Sequence, residues 1–263
     1  MNARIILTLL AALLLVACQS SPTASEAAKA ETPDHSAEDQ PMDQQEDPVP
    51  AAAEDEPAAA AAEPADGEPS AGTEEAAGDR HPALLDPSLA AETAPDEYKL
   101  KFKTTAGDFT VEIKRDWAPN GADRLYNLAK IGYYDDVAFF RLVDGFMAQF
   151  GIHGDGDVNK AWREARIPDD NVIQSNKPGY ITFATAGPNT RTTQLFINYG
   201  DNAGLDRQGF APLGKVVEGM DVVNKLHKGY GERPRQDLIQ SQGNVYLRKS
   251  FPDLDYIKTV EIL

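Results

Sequence analysis

The chain has 263 residues, a formal net charge of −17 and a single cysteine. One cysteine excludes an internal disulfide. The acidic excess argues against nucleic-acid binding, which depends on Lys and Arg at the phosphates. The length would suit one or two domains, but the composition changes so sharply along the chain that we treat three segments separately.

The N-terminal segment has the features of a secretory signal. Arg4 precedes an apolar run over residues 5–17, interrupted only by Thr8, and the run stops at Cys18. Thirteen residues are too few to span a bilayer, which needs about 20, whereas a basic start and a short apolar core are typical of a signal peptide. Leu15-Val16-Ala17-Cys18 resembles a bacterial lipoprotein processing site.

We therefore predict a lipoprotein signal peptide over residues 1–17 and a lipid on Cys18. More than one acyl chain would give a stable membrane anchor. The alternative is a plain secretory signal followed by an incidental cysteine. Gln19 stands where an aspartate would resemble an inner-membrane retention signal. In a Gram-negative cell, the expected location is the cell envelope, at the outer membrane and facing the periplasm.

Residues 18–95 are rich in Ala, Glu, Asp and Pro. From residue 19 to residue 95 there are 19 acidic residues against Lys29 and Arg80, and no aromatic residue. With few apolar side chains and strong self-repulsion, burial cannot offset the conformational entropy. We predict a disordered tether that spans roughly 50 Å root-mean-square and acts as a solubilising spacer. A specific partner site in this segment is the alternative.

Residues 96–263 have the patterns of one folded domain with many short strands. Apolar residues alternate with polar ones over residues 98–104 and again over 109–113, on either side of Ala106-Gly107. Period two around a glycine turn predicts a β-hairpin. Further strands, rich in β-branched or aromatic residues, are predicted at 137–143, 146–151, 180–186, 194–199, 213–217 and 256–263.

Few helices are expected among these strands. Apolar residues recur at helical spacing over residues 122–129, before Gly132, which predicts one amphipathic helix. A second short helix is predicted over residues 220–226, and a weaker third near 242–249. Many short strands with few helices suit an antiparallel barrel, because closure removes exposed strand edges.

Two sequence blocks in this domain contain the residues with chemical potential. The first is Phe140-Arg141-Leu142-Val143-Asp144-Gly145-Phe146-Met147-Ala148-Gln149. The second, Ala186-Gly187-Pro188-Asn189-Thr190, leads into Gln194 and Phe196. These blocks resemble the signature of the cyclophilin-type peptidyl-prolyl isomerases, and Leu205-Asp206 also fits. The resemblance covers residues 98–263.

The resemblance implies a fold, an activity and a set of site residues. The fold would be mainly β: a closed eight-stranded antiparallel β-barrel capped by two helices. The activity would be cis–trans isomerisation of X-Pro bonds in folding envelope proteins, without a cofactor. Arg141, Gln149 and Gln194 would be the catalytic residues. The implied substrate-binding residues are Phe146, Met147, Ala184, Thr185, Ala186, Phe196, Leu205 and Phe210.

Arg141 is the strong catalytic candidate in the first block. Rotation about an X-Pro bond meets a barrier of about 20 kcal/mol, because the nitrogen lone pair is delocalised into the carbonyl. A cation that donates a hydrogen bond towards the proline nitrogen favours the twisted transition state over either planar ground state. Gln149 and Gln194 would fix the peptide backbone and orient Arg141, while an apolar socket holds the proline ring.

Other interpretations of these residues stay open. Taken singly, Phe146, Met147 and Phe196 would be ordinary barrel core, and Arg141 a surface ion-pair former. The same pocket would suit a non-catalytic proline-peptide binding module or chaperone. A structural envelope lipoprotein that uses the barrel as an interaction head is a third interpretation. We expect a monomer under every interpretation. For the isomerase and for the binding module, the expected partners are proline-containing unfolded or folding polypeptides.

No metal site is expected. Asp155-x-Asp157-x-Asn159 resembles the start of a calcium-binding loop, but Lys160 stands where the turn glycine belongs and Arg166 where the bidentate glutamate belongs. His153 and His227 are too isolated in the sequence for a convincing set of metal ligands.

Overall fold

A computed structural model describes residues 80–263. They contain nine β-strands, four α-helices and four short 3₁₀ helices. The signal peptide over residues 1–17, Cys18 and most of the tether, as predicted from the sequence, lie outside the described residues. Within residues 80–263, no helix has the length and apolar character needed to cross a membrane.

The first two strands form the predicted hairpin. β1 (Glu97–Thr104) and β2 (Asp108–Lys114) pair in antiparallel register, with Phe102 opposite Phe109. The two rings are buried and stack at 4.8 Å between centroids. The alternation in the sequence thus has a physical cause: one face of the hairpin covers the core, and the lysines of β1 lie on the other face.

One curled antiparallel sheet contains all the strands, so the fold is mainly β as predicted. The remaining strands are β3 (Val137–Ala138), β4 (Arg141–Val143), β5 (Met147–Phe150), β6 (Tyr180–Phe183), β7 (Leu195–Asn198), β8 (Pro212–Glu218) and β9 (Tyr256–Ile262). Their order across the sheet is β3-β9-β1-β2-β8-β6-β7-β5-β4.

The sheet has nine strands where the sequence analysis expects eight. The difference arises at residues 137–143, predicted as one strand, which divide into β3, paired with β9, and β4, paired with β5. Between them the N–H of Phe139 donates to Asp255 O, and the N–H of Phe140 donates to Gln149 O. One stretch of chain therefore changes its hydrogen-bonding partner and links the two ends of the strand order.

The described residues contain four α-helices rather than the two capping helices expected. α1 (Pro119–Lys130) and α3 (Met220–Lys225) confirm the two helices predicted from apolar spacing. α4 (Gln236–Ser250) is longer than the weak helix expected there. α2 (Gly156–Trp162) is missed by the sequence analysis, because seven residues are too few to give a clear apolar period.

α4 is interrupted at Gly243, where φ is 55° and ψ is −138°. A Cβ here would collide with the carbonyl oxygen of Gly154, so only glycine fits. The N–H of Asn244 donates to that same oxygen at 2.9 Å. The break brings α4 against the start of α2, where Asp155 caps the helix by accepting the N–H of Asp157 at 2.8 Å.

Aromatic side chains fill the inner face of the sheet. The ring of Phe150 meets those of Phe102, Tyr134 and Phe139 at centroid distances of 5.9, 5.7 and 5.2 Å. Full burial of each such side chain contributes about 1.5–3 kcal/mol. A second, smaller cluster lies under α4 and contains Ala138, Phe140, Ile152, Ile239, Leu247, Leu254 and Tyr256.

Residues 80–95, which the sequence analysis assigns to the tether, lie on the folded domain; we call them the N-terminal strap. Ala83 and Leu84 are buried in the main core. The indole Nε1 of Trp162 donates to the carbonyl oxygen of Leu84 at 3.1 Å. The first half of the strap is therefore held by α2.

The second half of the strap runs along α1. The side chain of Asn127 accepts the N–H of Glu92 at 3.0 Å and donates to the carbonyl oxygen of the same residue at 2.7 Å. Asp123 accepts the N–H of Ala94 at 2.9 Å. The folded domain thus includes residues 80–95, which the sequence analysis places in the tether. Isolated Ala and Leu residues among Pro, Ser and Glu gave no periodic signal of this.

Leu84→Ala in the full chain should lower the free energy of unfolding by about 2–3 kcal/mol, because it leaves a cavity in the core. Leu85→Ala is the matched control, since Leu85 is 59% exposed. Its effect should stay within about 0.5 kcal/mol. Urea unfolding followed by tryptophan fluorescence measures both variants. Equally small losses in the two variants would contradict the docking of the strap.

Candidate active site

A groove of about 350 Å³ lies where β4, β5 and β7 meet the segments around residues 184–192 and 203–210. It brings together all eleven site residues predicted from the sequence: Arg141, Phe146, Met147, Gln149, Ala184, Thr185, Ala186, Gln194, Phe196, Leu205 and Phe210. Three further residues line it that were not predicted as site residues: Thr190, which belongs to the second sequence block, Thr192 and Gln236.

Strand register aligns three of these residues in a row. Arg141 of β4 is opposite Gln149 of β5, and Gln149 is in turn opposite Phe196 of β7. Directly paired residues of neighbouring strands lie on the same face of a sheet, with Cβ atoms about 5 Å apart. An arginine, an amide and an aromatic ring from distant segments therefore lie side by side.

A hydrogen-bond chain fixes the polar side of the groove. Arg141 Nη1 donates to Gln149 Oε1 at 3.1 Å, and Gln149 Nε2 donates to Gln194 Oε1 at 2.9 Å. Gln149 is only 6% exposed, so its amide depends on these partners; a buried polar group without one costs about 1–3 kcal/mol. The two amides and the guanidinium therefore adopt one mutual arrangement.

A carboxylate supplies further partners for Arg141. Glu232 Oε1 accepts a hydrogen bond from Arg141 Nε at 2.7 Å and another from Nη2. Glu232 lies in the loop between α3 and α4, 91 residues from Arg141 in the sequence. No motif or spacing in the sequence indicates this contact, and the sequence analysis missed it.

The apolar side of the groove has a buried floor and half-buried walls. Met147 and Phe196 are 2% and 5% exposed, whereas Phe146, Leu205 and Phe210 are half-buried. The rings of Phe196 and Phe210 meet edge to face with 5.8 Å between centroids. The groove thus offers an apolar depression beside a cation, a combination that suits a ligand with an apolar ring next to a polar group.

The wall that contains Leu205 and Phe210 is held by hydrogen bonds of Asp206 and of the buried Asn176. Asp206 accepts hydrogen bonds from Ser175 Oγ at 2.5 Å, from Asn176 N at 3.0 Å and from Asn176 Nδ2 at 2.8 Å. The same Asn176 amide donates to Phe210 O at 2.9 Å. Burial raises the pKa of Asp206, but the hydrogen bonds from Ser175 and Asn176 outweigh it and bring this pKa below its ordinary value.

The opposite wall is a tight turn that includes residues 184–190. Thr190 Oγ1 accepts the N–H of Ala186 at 2.9 Å. Asn189 has a φ of 55°, a left-handed conformation that asparagine adopts more readily than most residues. Its side-chain oxygen accepts the N–H of Asp169 at 2.9 Å. These bonds present residues 184–186 to the groove in a fixed orientation.

A buried ion pair anchors the end of this turn. Arg191 Nη1 lies 3.0 Å from Asp170 Oδ2, and both side chains are only 3% exposed. The Asp170 carboxylate also accepts the N–H groups of Asn120 and Gly121 in the first turn of α1, each at 2.9 Å. The arginine and the positive end of the helix together compensate its charge. Removing one partner of such a pair costs about 3–5 kcal/mol.

Within residues 80–263, no group of three or more His, Cys, Asp or Glu side chains is placed to hold a metal ion. His153 lies away from the groove, where its Nδ1 accepts the N–H of Asp155 at 2.9 Å and its ring packs on Tyr133. Burial lowers the pKa of His153, although the nearby Asp155 carboxylate acts in the other direction.

Residues 99–244 match the family described as cyclophilin type peptidyl-prolyl cis-trans isomerase/CLD. The matched span covers more than half of the chain and includes every residue that lines the groove. The chain belongs to the cyclophilin family. The folded domain extends beyond the match on both sides, through the N-terminal strap and through β9.

Curated relatives of this cyclophilin include bacterial and eukaryotic proteins. A probable peptidyl-prolyl cis-trans isomerase of Brucella abortus (strain 2308) is 35% identical over 150 residues, which cover 53% of this chain and 76% of the relative. An isomerase of Dictyostelium discoideum is 32% identical over 134 residues, 50% of this chain and 85% of the relative. The match to a crystal structure of a Cryptosporidium parvum cyclophilin has a TM-score of 0.48 and 22% sequence identity. It covers 64% of this chain and 98% of the Cryptosporidium chain.

Asp206→Ala should loosen one wall of the cyclophilin groove. It leaves the Ser175 hydroxyl, the backbone N–H of Asn176 and one of the two Asn176 amide hydrogens without an acceptor. Such a loss costs about 1–3 kcal/mol of stability, and Leu205 and Phe210 then lose their fixed positions. We expect weaker binding of an X-Pro peptide, measured by NMR titration, and a lower unfolding midpoint in urea. Asp201→Ala is the control, because exposed Asp201 accepts only the N–H of Ala203, at 3.3 Å.

The contribution of Asp206 to the free energy of unfolding should change with pH in a predictable direction. Because the folded state lowers its pKa, the carboxylate stabilises the fold above its unfolded pKa of about 4 and loses this effect as the pH falls through the folded value. Asp206→Ala should therefore depend less on pH in that acidic range than the wild type. Parallel stability curves for the two proteins would contradict the role given to Asp206.

Proposed function

We propose that this cyclophilin catalyses the cis–trans isomerisation of X-Pro bonds in proteins that fold in the bacterial envelope. The observation that carries the proposal is one groove in which Arg141 lies beside an apolar depression with Met147 and Phe196 at its floor. The two curated relatives described above, one named a probable peptidyl-prolyl cis-trans isomerase and the other a peptidyl-prolyl cis-trans isomerase, support the same reaction.

The chemical requirement is a weaker amide conjugation in the transition state. In the twisted state the proline nitrogen regains its lone pair and becomes a better hydrogen-bond acceptor than in either planar state. A donor placed at this nitrogen therefore binds the transition state more tightly than the ground states, which is the condition for catalysis. A thousandfold acceleration needs about 4 kcal/mol of such differential binding.

Arg141 has the donors that this mechanism needs. A guanidinium carries five N–H groups, and among the described residues Gln149 and Glu232 accept three of them. Two more, one on Nη1 and one on Nη2, remain for the substrate. The Arg141 side chain is 31% exposed, so its charge acts in a partly desolvated groove, where hydrogen bonds to ions are stronger than in water.

The apolar depression supplies the position of the substrate. The proline ring would enter between Phe146, Met147 and Phe196, against the wall formed by Leu205 and Phe210. The residues ahead of proline would lie along the backbone of residues 184–186. Gln149 and Gln194 would then hold both the peptide and Arg141. No cofactor takes part in this proposal, since bond rotation requires no bond to break.

Arg141→Ala should lower kcat/KM for a short X-Pro peptide by at least tenfold while the domain stays folded, because the side chain acts on the transition state. Arg141→Lys should also lose most activity, since an ammonium lacks the planar fork that bonds to Gln149, Glu232 and substrate together. A chymotrypsin-coupled or NMR exchange assay measures the rates. Activity of Arg141→Ala within twofold of wild type would overturn the mechanism.

The same experiment separates the rival function. A non-catalytic binding module or chaperone would bind the X-Pro peptide with no turnover in the wild type, and Arg141→Ala would change only the affinity. Titration of the peptide under the assay conditions distinguishes the two cases.

We also propose that the protein is anchored in the membrane by lipid on Cys18, at the outer membrane and facing the periplasm. The apolar run before Cys18 and the sequence Leu15-Val16-Ala17-Cys18 support this location. Residues 18–79 would form the tether, with a reach of roughly 45 Å for a flexible coil of that length. The proposed clients are therefore folding polypeptides near the membrane.

Cys18→Ser should release the protein from membranes or leave it as an unprocessed precursor. Acyl chains contribute about 0.8 kcal/mol for each buried CH₂ group, and an uncleaved precursor differs from the mature protein in mass. Membrane fractionation and mass spectrometry of the purified protein measure these outcomes. Peptide isomerase activity should be unchanged, because the groove lies within residues 141–236. Membrane retention of a processed, lipid-free variant would contradict the anchor.

A further inference from the structure

Glu232 forms two hydrogen bonds with the guanidinium of Arg141, where a surface ion pair needs only one. One carboxylate oxygen accepts both Nε–H and one Nη2–H of the guanidinium, while Gln149 accepts an Nη1–H from the other side. The guanidinium plane is therefore fixed by partners at two edges. Only the N–H groups that point away from both partners remain for a substrate.

The loop that contains Glu232 is itself attached to the strand of Arg141. Gly231 O accepts the N–H of Leu142, the residue after Arg141 in β4, at 3.3 Å. The backbone of Glu232 is thus one residue away from a hydrogen bond to β4. Its position relative to Arg141 is set by the main chain and not only by the two side chains.

Further contacts hold this loop in one conformation. Arg233 Nη2 donates to Gly229 O at 2.8 Å, and Tyr230 Oη donates to Asp253 Oδ2 at 2.7 Å. Gly231 adopts a φ of 56°, which glycine allows without strain. A carboxylate on a loop with these restraints can hold a partner side chain in place.

We propose that Glu232 is a positioning residue for the isomerase reaction: it holds the guanidinium of Arg141 in the orientation that directs two N–H groups at the substrate. This inference rests on the proposed function of Arg141. The arginine side chain has four rotatable bonds and loses much rotamer freedom when fixed. Glu232 restricts the side chain before the substrate binds, so less conformational entropy is lost on reaching the transition state.

The Glu232 carboxylate also opposes the positive charge of Arg141. The orienting effect of Glu232 should raise activity, whereas this charge effect should lower it. An isolated charge would attract the proline nitrogen more strongly, so loss of Glu232 would raise activity if charge dominated. Glu232 is 60% exposed, and water screens the charge of an exposed carboxylate. Hydrogen-bond direction is not screened in this way. The orienting effect therefore exceeds the opposing charge effect.

Glu232→Ala should lower kcat/KM for an X-Pro peptide three- to fivefold, with the loss in kcat and KM nearly unchanged. Fivefold corresponds to about 1 kcal/mol, the upper range for an exposed ion pair. Glu232→Gln should stay within twofold of wild type, because its amide oxygen accepts the same two N–H groups. Asp221→Ala, which removes the exposed pair with Lys225 on α3, is the control and should leave the rate unchanged.

Coupling to Arg141 separates positioning from a general structural effect. In the Arg141→Ala background, Glu232→Ala should cause no further loss, because the group that it positions is absent. The ¹⁵N resonance of Arg141 Nε–H gives a second readout: it should be sharp in the wild type and in Glu232→Gln, and broadened by exchange in Glu232→Ala. The Glu232 variants should unfold within a few degrees of their parents, because this ion pair is exposed and contributes little to stability.

Several results would overturn the proposal. The first is an unchanged or higher activity of Glu232→Ala. The second is that Glu232→Ala lowers activity as much in the Arg141→Ala background as in the wild type. The third is an Arg141 Nε–H resonance that Glu232→Ala does not alter. Failure of the proposed function is distinguishable, since it would appear as full activity in Arg141→Ala or as no turnover by the wild type. In either of those cases the role of Glu232 in the reaction falls with it.

Discussion

Strand register is the constraint on which the groove depends. The row that starts at Arg141 exists because β4, β5 and β7 pair residue for residue with no bulge between them. The adjacent row, Leu142, Ala148 and Ile197, faces inward and belongs to the main core. A slip of one residue between two of these strands would send one set of side chains to the wrong face. Burial of the inner row therefore fixes the register that keeps the side chains of the Arg141 row in the groove.

One wall of the groove is a tight turn and the other contains a short 3₁₀ helix (Ala203–Gln208), and one irregular segment holds both of them. Asp169 and Asp170 bind the turn that ends at Arg191, and Asn176 binds the wall at Asp206. These three residues lie within eight positions of one another, in a stretch with no helix or strand of its own. Its buried carboxylate and amide replace the ladder of hydrogen bonds that a strand would provide. The polar interactions that hold both walls therefore come from a segment without regular structure.

The sequence was sufficient for the parts of the site that lie in contiguous blocks. Alternation predicted the hairpin, and β-branched and aromatic residues predicted the other strands. The blocks at 140–149 and 186–190 contained residues that the groove unites. Glu232, Asn176 and Asp170 were missed because their roles depend on partners distant in sequence, and a single polar residue in a loop carries no period. The split of residues 137–143 was missed because apolar character does not specify which neighbour a strand pairs with.

The N-terminal strap changes how often the proposed enzyme would meet a client held on the same membrane. With residues 80–95 on the domain, the proposed tether from Cys18 has 62 residues rather than 78. The effective concentration of one end of a flexible linker at the other varies as about the −3/2 power of linker length. Under this proposal, docking of the strap would raise it by about 40%, without any change in the groove. A short segment outside the groove would then act on encounter frequency.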